Sequence, residues 1–115
     1  MPVITEPIIF SREINGANVD LIIPEIFVKD LHFSTPEHFM LMIRVTGPDT
    51  TKVMDYFEDA EDEVFNVETV ESENNREINR KFILTDSYID EGPQLSVDID
   101  IEPEMVRIIL DFLEK

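Results

Sequence analysis

The chain has 115 residues, no cysteine, 43% hydrophobic residues including 8 Phe, and a formal net charge of -17 at pH 7. That length and apolar content support one domain over residues 1–115 with its own core, unlike the acidic chains that stay disordered. The charge argues against binding nucleic-acid phosphates or anionic membranes, and the missing cysteines exclude disulfides, thiolate catalysis and cysteine zinc sites.

Residues 3–14 read as a strand whose start lies at an edge, because Pro7 cannot donate to a ladder. Asn15-Gly16 then predicts a tight hairpin between Ile8-Ile9-Phe10 and Val19-Asp20-Leu21-Ile22-Ile23, since both turn residues tolerate positive φ. Pro24 breaks or bends the second strand, and Ile26-Phe27-Val28 resumes it. Residues 30–37 read as a loop with Ser34-Thr35-Pro36-Glu37 as turn material. His32 and His38 flank that loop without a third ligand or a catalytic partner, which favours packing or surface roles over ligation. Phe39 to Val45 reads as a central strand, with Phe39, Leu41, Ile43 and Val45 on one side and Met40 and Met42 on the other. Core packing is the expected use of that Met pair, ahead of a forgiving binding surface.

Thr46-Gly47-Pro48-Asp49 ends the strand and opens a helix, and Gly47-Pro48 lacks the rest of any phosphate-loop fingerprint. The spacing of Val53, Met54, Phe57, Ala60, Val64 and Phe65 predicts an amphipathic helix over 53–65, with Asp55, Glu58, Asp59, Asp62 and Glu63 on its opposite face. From Val53 to Asn75 the chain carries nine carboxylates and no Lys or Arg. Like charges three or four apart on a helix repel by roughly 0.2–0.5 kcal/mol per pair, so this strip costs about 1–2.5 kcal/mol. A charge run is most often just a solvated face. The functional reading is a contact surface for a basic partner, extended by Glu68, Glu71 and Glu73.

Val67 and Val70 alternate poorly and give only a weak strand signal, and 72–75 reads as a turn or loop. Arg76, Arg80 and Lys81 form the one basic cluster, whose simplest role is to answer the neighbouring acids. Phe82-Ile83-Leu84 and Tyr88-Ile89 suggest another strand, ended by Asp90-Glu91-Gly92-Pro93. Leu95 to Ile101 alternates without a fault and predicts a strand with Ser96, Asp98 and Asp100 outward. Those acids lack the glycine turn and closing ligand of a calcium loop, so no metal or other cofactor is expected. Pro103-Glu104 opens a predicted second helix carrying Met105, Val106, Ile109, Leu110, Phe112 and Leu113.

The expected fold class is α+β: an antiparallel sheet of about five to six strands with two amphipathic helices on one face. Residues 52–58 and 108–114 match in character, which suggests two βββα halves. No run approaches a membrane span and the N-terminal residues lack the basic flank of a signal peptide, so the expected location is the cytoplasm of a bacterium or of a phage-infected or other host cell.

With 3 Gly, 2 His and no Cys, the usual nucleophile and phosphate-binding devices are thin, and the chain is not expected to be an enzyme. The leading expectation is an acidic protein-binding module: an inhibitor, an immunity-type protein or a mimic of nucleic-acid charge. It would engage a basic nuclease, polymerase or nucleic-acid-binding protein. The alternative is a small structural component of a virion or other homo-oligomeric assembly, in which the acids only maintain solubility.

Overall fold

Asn15 and Gly16 take φ of 51° and 82°, the left-handed pair that a two-residue hairpin needs. They join β1 (Ile8–Ile14) to β2 (Ala17–Ile23) in unbroken register from Ile8↔Ile23 to Ile14↔Ala17. The computed structural model describes residues 4–72, 75–90 and 106–115. A single 3-10 turn, Glu25–Phe27, leads into β3 (Val28–Thr35), β4 (His38–Val45) and α1 (Asp49–Phe57). The chain continues through β5 (Val64–Glu71), β6 (Arg76–Asp90) and β7 (Val106–Glu114). All seven strands belong to one antiparallel sheet in the order β2-β1-β5-β6-β7-β4-β3.

This corrects the α+β expectation: the described residues form a mostly-β fold with seven strands and one helix, and the two βββα halves do not exist. The segment read as a second helix is β7. Val106, Ile108, Leu110 and Phe112 point into the core with a period of two, while Arg107 and Leu113 are exposed on the other side. Three β-branched residues favour that extended form, and pairing with both β4 and β6 stabilises it. The weak signal at Val67 and Val70 belongs to an eight-residue strand, β5, and residues 30–35 of the expected 30–37 loop belong to β3. The strand expected over Leu95 to Ile101 lies outside the described residues.

β6 dictates the shape. Its residues 76–83 pair with β5, whereas residues 82–90 pair with β7, so the two partners overlap only at Phe82 and Ile83. Just beyond that overlap the register shifts between Leu84 and Asp86. The extra residue, Thr85, reverses the alternation: Phe82 and Leu84 are buried before it, and Tyr88 is exposed after it. The sheet therefore folds over at β6 into a β2-β1-β5 layer and a β7-β4-β3 layer, a strand corner of the kind that builds sandwiches.

The short β2–β3 connection requires the same thing. In a flat sheet these outermost strands would stand roughly 29 Å apart, yet only residues 24–27 join them, and that linker reaches roughly 18 Å at most.

The core between the layers is aromatic. Phe112 of β7 stacks on Phe39 of β4 at 5.0 Å and on Phe10 of β1 at 5.7 Å, with Phe65 and Phe82 edge-on to it. We predict that Phe112→Ala lowers unfolding free energy by about 3–5 kcal/mol. Leu113→Ala, 44% exposed on the opposite side of the same strand, costs about 1 kcal/mol or less. Denaturant titration of the two variants checks this, and equal costs would contradict the folded-over sheet.

Candidate functional site

The turn Thr46–Pro48 uses Gly47 at φ 62°, with the Thr50 amide donating to the Gly47 carbonyl at 3.1 Å, and so launches α1 from the end of β4. Val53, Tyr56 and Phe57 are the helix's buried face. Two contacts lock its C-terminal end to the first hairpin. The Tyr56 hydroxyl donates to the Val19 carbonyl at 2.9 Å, and Arg12 Nη2 donates to the Tyr56 carbonyl at 2.9 Å. The second places a cation at the negative end of the helix dipole, with the guanidinium 5.3 Å from the Tyr56 ring and 5.5 Å from Phe65.

The helix stops at Phe57, eight residues before the predicted end, because residues 58–63 suit turns better than a helix C-terminus. Glu58 is extended, and Asp59 and Asp62 take φ of 54° and 69°, which Asp tolerates better than most residues. In the last turns of a longer helix Glu61, Asp62 and Glu63 would also have opposed the dipole. The resulting loop is held firmly. Ala60 is fully buried, the Asp62 amide donates to the Leu84 carbonyl at 2.8 Å, and the Leu84 amide donates to the Glu63 carbonyl at 3.1 Å. The helical repulsion expected along 58–63 is therefore absent, since these residues do not keep helical spacing.

Asp55, Glu58, Asp59, Asp62 and Glu63 are all exposed and succeed one another along the helix end and this loop. Glu61, which helical spacing left off the strip, is exposed in the same loop and joins them. The other predicted contact residues do not extend this band. Glu68 is exposed on the outer side of β5 opposite Asn79, beside a different cleft with Glu6 and Glu77. Glu71 is 2% exposed at the far end of β5, opposite Arg76 in register, and Glu73 lies outside the described residues.

Two members of the basic cluster are engaged away from the band. Arg76 lies 4.5 Å from the Phe33 ring, and Arg80 donates to the Pro36 carbonyl at 3.1 Å with its Nε 3.9 Å from Glu114. Lys81, with Lys115, borders a cleft shared with Asp62 and Glu63. Among the described residues, no ion pair within 4.0 Å involves a carboxylate of the band.

Beside the band opens a cleft of about 280 Å³. Met54, Phe57, Ile89 and Ile108 give it an apolar floor, and Asp55, Glu58 and Asp59 stand at its rim. An apolar side chain flanked by Lys or Arg matches that combination.

The two histidines part company. His32 is exposed, whereas His38 Nδ1 lies 2.8 Å from Ser34 Oγ, with His38 Nε2 4.0 Å from Asp111. Ser34 and His38 face each other across the β3–β4 hairpin, Asp111 lies on the neighbouring β7, and none of the three lines the clefts described above. No group of three or more His, Cys, Asp or Glu among the described residues is placed to hold a metal. No helix there is long and apolar enough to cross a membrane. Comparison with protein-family models, curated proteins and solved structures finds no match.

Burial pushes the Tyr56 hydroxyl up to about 12, with Arg12 pulling it down and Asp20 pushing it up. In the unfolded chain it ionises near pH ~10. Between those values the native state retains a proton that the unfolded chain has lost, so stability falls as pH rises. In a Tyr88→Phe background, which removes the only other tyrosine, we predict a Tm decline across that window that Tyr56→Phe abolishes. Tyr56→Phe also costs about 1 kcal/mol below it. Tyrosinate absorbance and thermal melts check both.

Proposed function

We propose that the protein is a non-enzymatic binding module that engages a basic protein through the carboxylate band of Asp55, Glu58, Asp59, Glu61, Asp62 and Glu63. The single observation that carries this reading is that all six are exposed on one helix end and its bonded loop, with no internal ion pair among the described residues. Fixed carboxylates lose little conformational freedom on binding and attract cations over distance, which favours fast, salt-sensitive association. The adjoining cleft supplies the desolvated apolar anchor that charge alone lacks. A partner that holds phosphates with Lys and Arg has the matching surface, and its occupation would make the module an inhibitor or charge mimic.

A second reading, an assembly component, draws support from the outer side of the β7-β4-β3 layer and β6. There Tyr88 and Leu113 are 51% and 44% exposed, on the same side as Met40, Met42 and Ile109. Sedimentation separates the readings: a salt-resistant homo-oligomer favours the second, a monomer the first.

For the first, the test is titration with a Lys/Arg-rich peptide carrying interspersed apolar residues. Neutralising Asp55, Glu58, Asp59, Asp62 and Glu63 to their amides is expected to weaken binding about tenfold or more. Neutralising Glu6, Glu25, Asp30, Glu37 and Glu77 instead should leave most of it. Equal losses would reduce the band to generic surface charge.

A further inference from the structure

The two outermost strands are protected unequally. β3 carries two register shifts, between Val28 and Asp30 and between Phe33 and Thr35, and has Lys29 at the first. Bulges and edge lysines are the usual means of discouraging an incoming strand. β2 has neither: its seven residues run without a shift, and Pro24 comes only after its end.

The free side of β2 is set by the hairpin. In a two-residue turn the closing pair, Ile14 and Ala17, exchanges both backbone bonds, and alternate pairs repeat that pattern. Val19, Leu21 and Ile23 therefore bond inward to β1. Asn18, Asp20 and Ile22 direct their amides and carbonyls away from it, and no strand among the described residues pairs there. All three side chains are exposed, Ile22 by 55%. Asp20 Oδ1 accepts from Ser11 Oγ of β1 at 2.7 Å and from Asn18 Nδ2 at 3.2 Å, which fixes the carboxylate on the exposed face of the hairpin.

We infer that the β2 edge is a strand-addition site for an extended basic segment of a partner protein, with Lys or Arg facing Asp20 and an apolar residue facing Ile22. Main-chain bonds to Asn18, Asp20 and Ile22 supply the affinity, and the outward side chains supply the selectivity. A second copy is the wrong occupant. Symmetric antiparallel pairing centred on the middle of β2 would set Asp20 against Asp20, and each chain carries a net charge of -17. The site shares the basic partner of the proposed function, and Asn18 lines the same cleft as Asp62 and Glu63, but strand addition uses the β2 backbone rather than the band's carboxylates, so each can fail alone.

The test is amide hydrogen exchange on the isotope-labelled full chain with a probe peptide of alternating Lys and Val, matched in length to β2, and a Glu/Val peptide as control. The Lys/Val peptide is expected to slow exchange at Asn18, Asp20 and Ile22, leaving the already bonded Val19 and Leu21 little changed. The Glu/Val peptide should not. Ile22→Pro deletes one outward donor and no β1 bond and should abolish the protection, with unchanged circular dichroism as the check on folding. Asp20→Lys, which leaves the backbone intact, should weaken binding about fivefold and keeps the test decisive if the proline variant unfolds. The band-neutralised chain should retain the protection.

Perturbation confined to 55–63 would overturn strand addition while leaving the band reading standing. Protection that appears without peptide and grows with protein concentration would assign the edge to a second copy and overturn the proposal, as would equal protection by the Glu/Val peptide.

Discussion

The stack of Phe10, Phe112 and Phe39 holds the rest of the molecule in place, because it joins strands the sheet order keeps apart. Two strands separate β1 from β7 in the sheet, yet their rings stand 5.7 Å apart with planes inclined by only 22°. Such contact needs the sheet to double over, and doubling over is possible because Thr85 interrupts the alternation of β6 where its pairing passes from one neighbour to the other. Without the bend the inner Phe residues would face water, and without the rings the bend would have little to close upon. Each aromatic contact adds roughly 0.5–1.5 kcal/mol beyond its buried area. The same closure brings α1 against the first hairpin and so decides where the acids after Phe57 emerge.

The parts of this fold that are legible in the sequence are those decided locally. Asn15-Gly16 determines a hairpin because its φ requirement admits few alternatives, and Phe39 to Val45 reads as a buried strand because its apolar run is short and bounded by Pro36 and Gly47. The C-terminal segment imitates a helix because Ile109 and Leu113, on the outer side of β7, complete an apolar pattern that fits one. Period two and period 3.6 overlap when both faces of a strand carry apolar residues. The helix after Gly47 is legible, but its end is not, since Val64 and Phe65 continue its apolar spacing from a strand rather than a further turn. In the band, Asp55 and Glu58 to Glu63 can be singled out by charge alone. Glu71 cannot be separated from them, because its burial depends on which side of β5 faces inward.

The acids therefore do different work from what a continuous helix would require. On a helix they would be a cost borne for some external reason; in left-handed and extended turn conformations they are the residues the backbone prefers. The function of the band consequently rests on its exposure and on the absence of ion pairs to it among the described residues, not on repulsion tolerated within the fold. That distinction shifts attention from stability to presentation. Two backbone bonds to Leu84 and the burial of Ala60 keep the loop in one shape, so its charges form a fixed pattern.

Charge and edge also constrain each other. An unprotected strand edge is a template for self-pairing, and proteins ordinarily blunt it with bulges, lysines or prolines. β3 has such devices and β2 does not, so something else must keep copies of this chain from joining along β2. The net charge of -17 does so at a distance, and Asp20 does so at contact. Screening limits the distant effect to roughly 8 Å at physiological ionic strength, which leaves Asp20 as the discriminating group once two surfaces meet. A basic strand meets neither obstacle. The acidity that keeps the edge from its own kind is thus the property that leaves it open to a partner of opposite charge, and solubility and recognition become two consequences of one distribution of carboxylates.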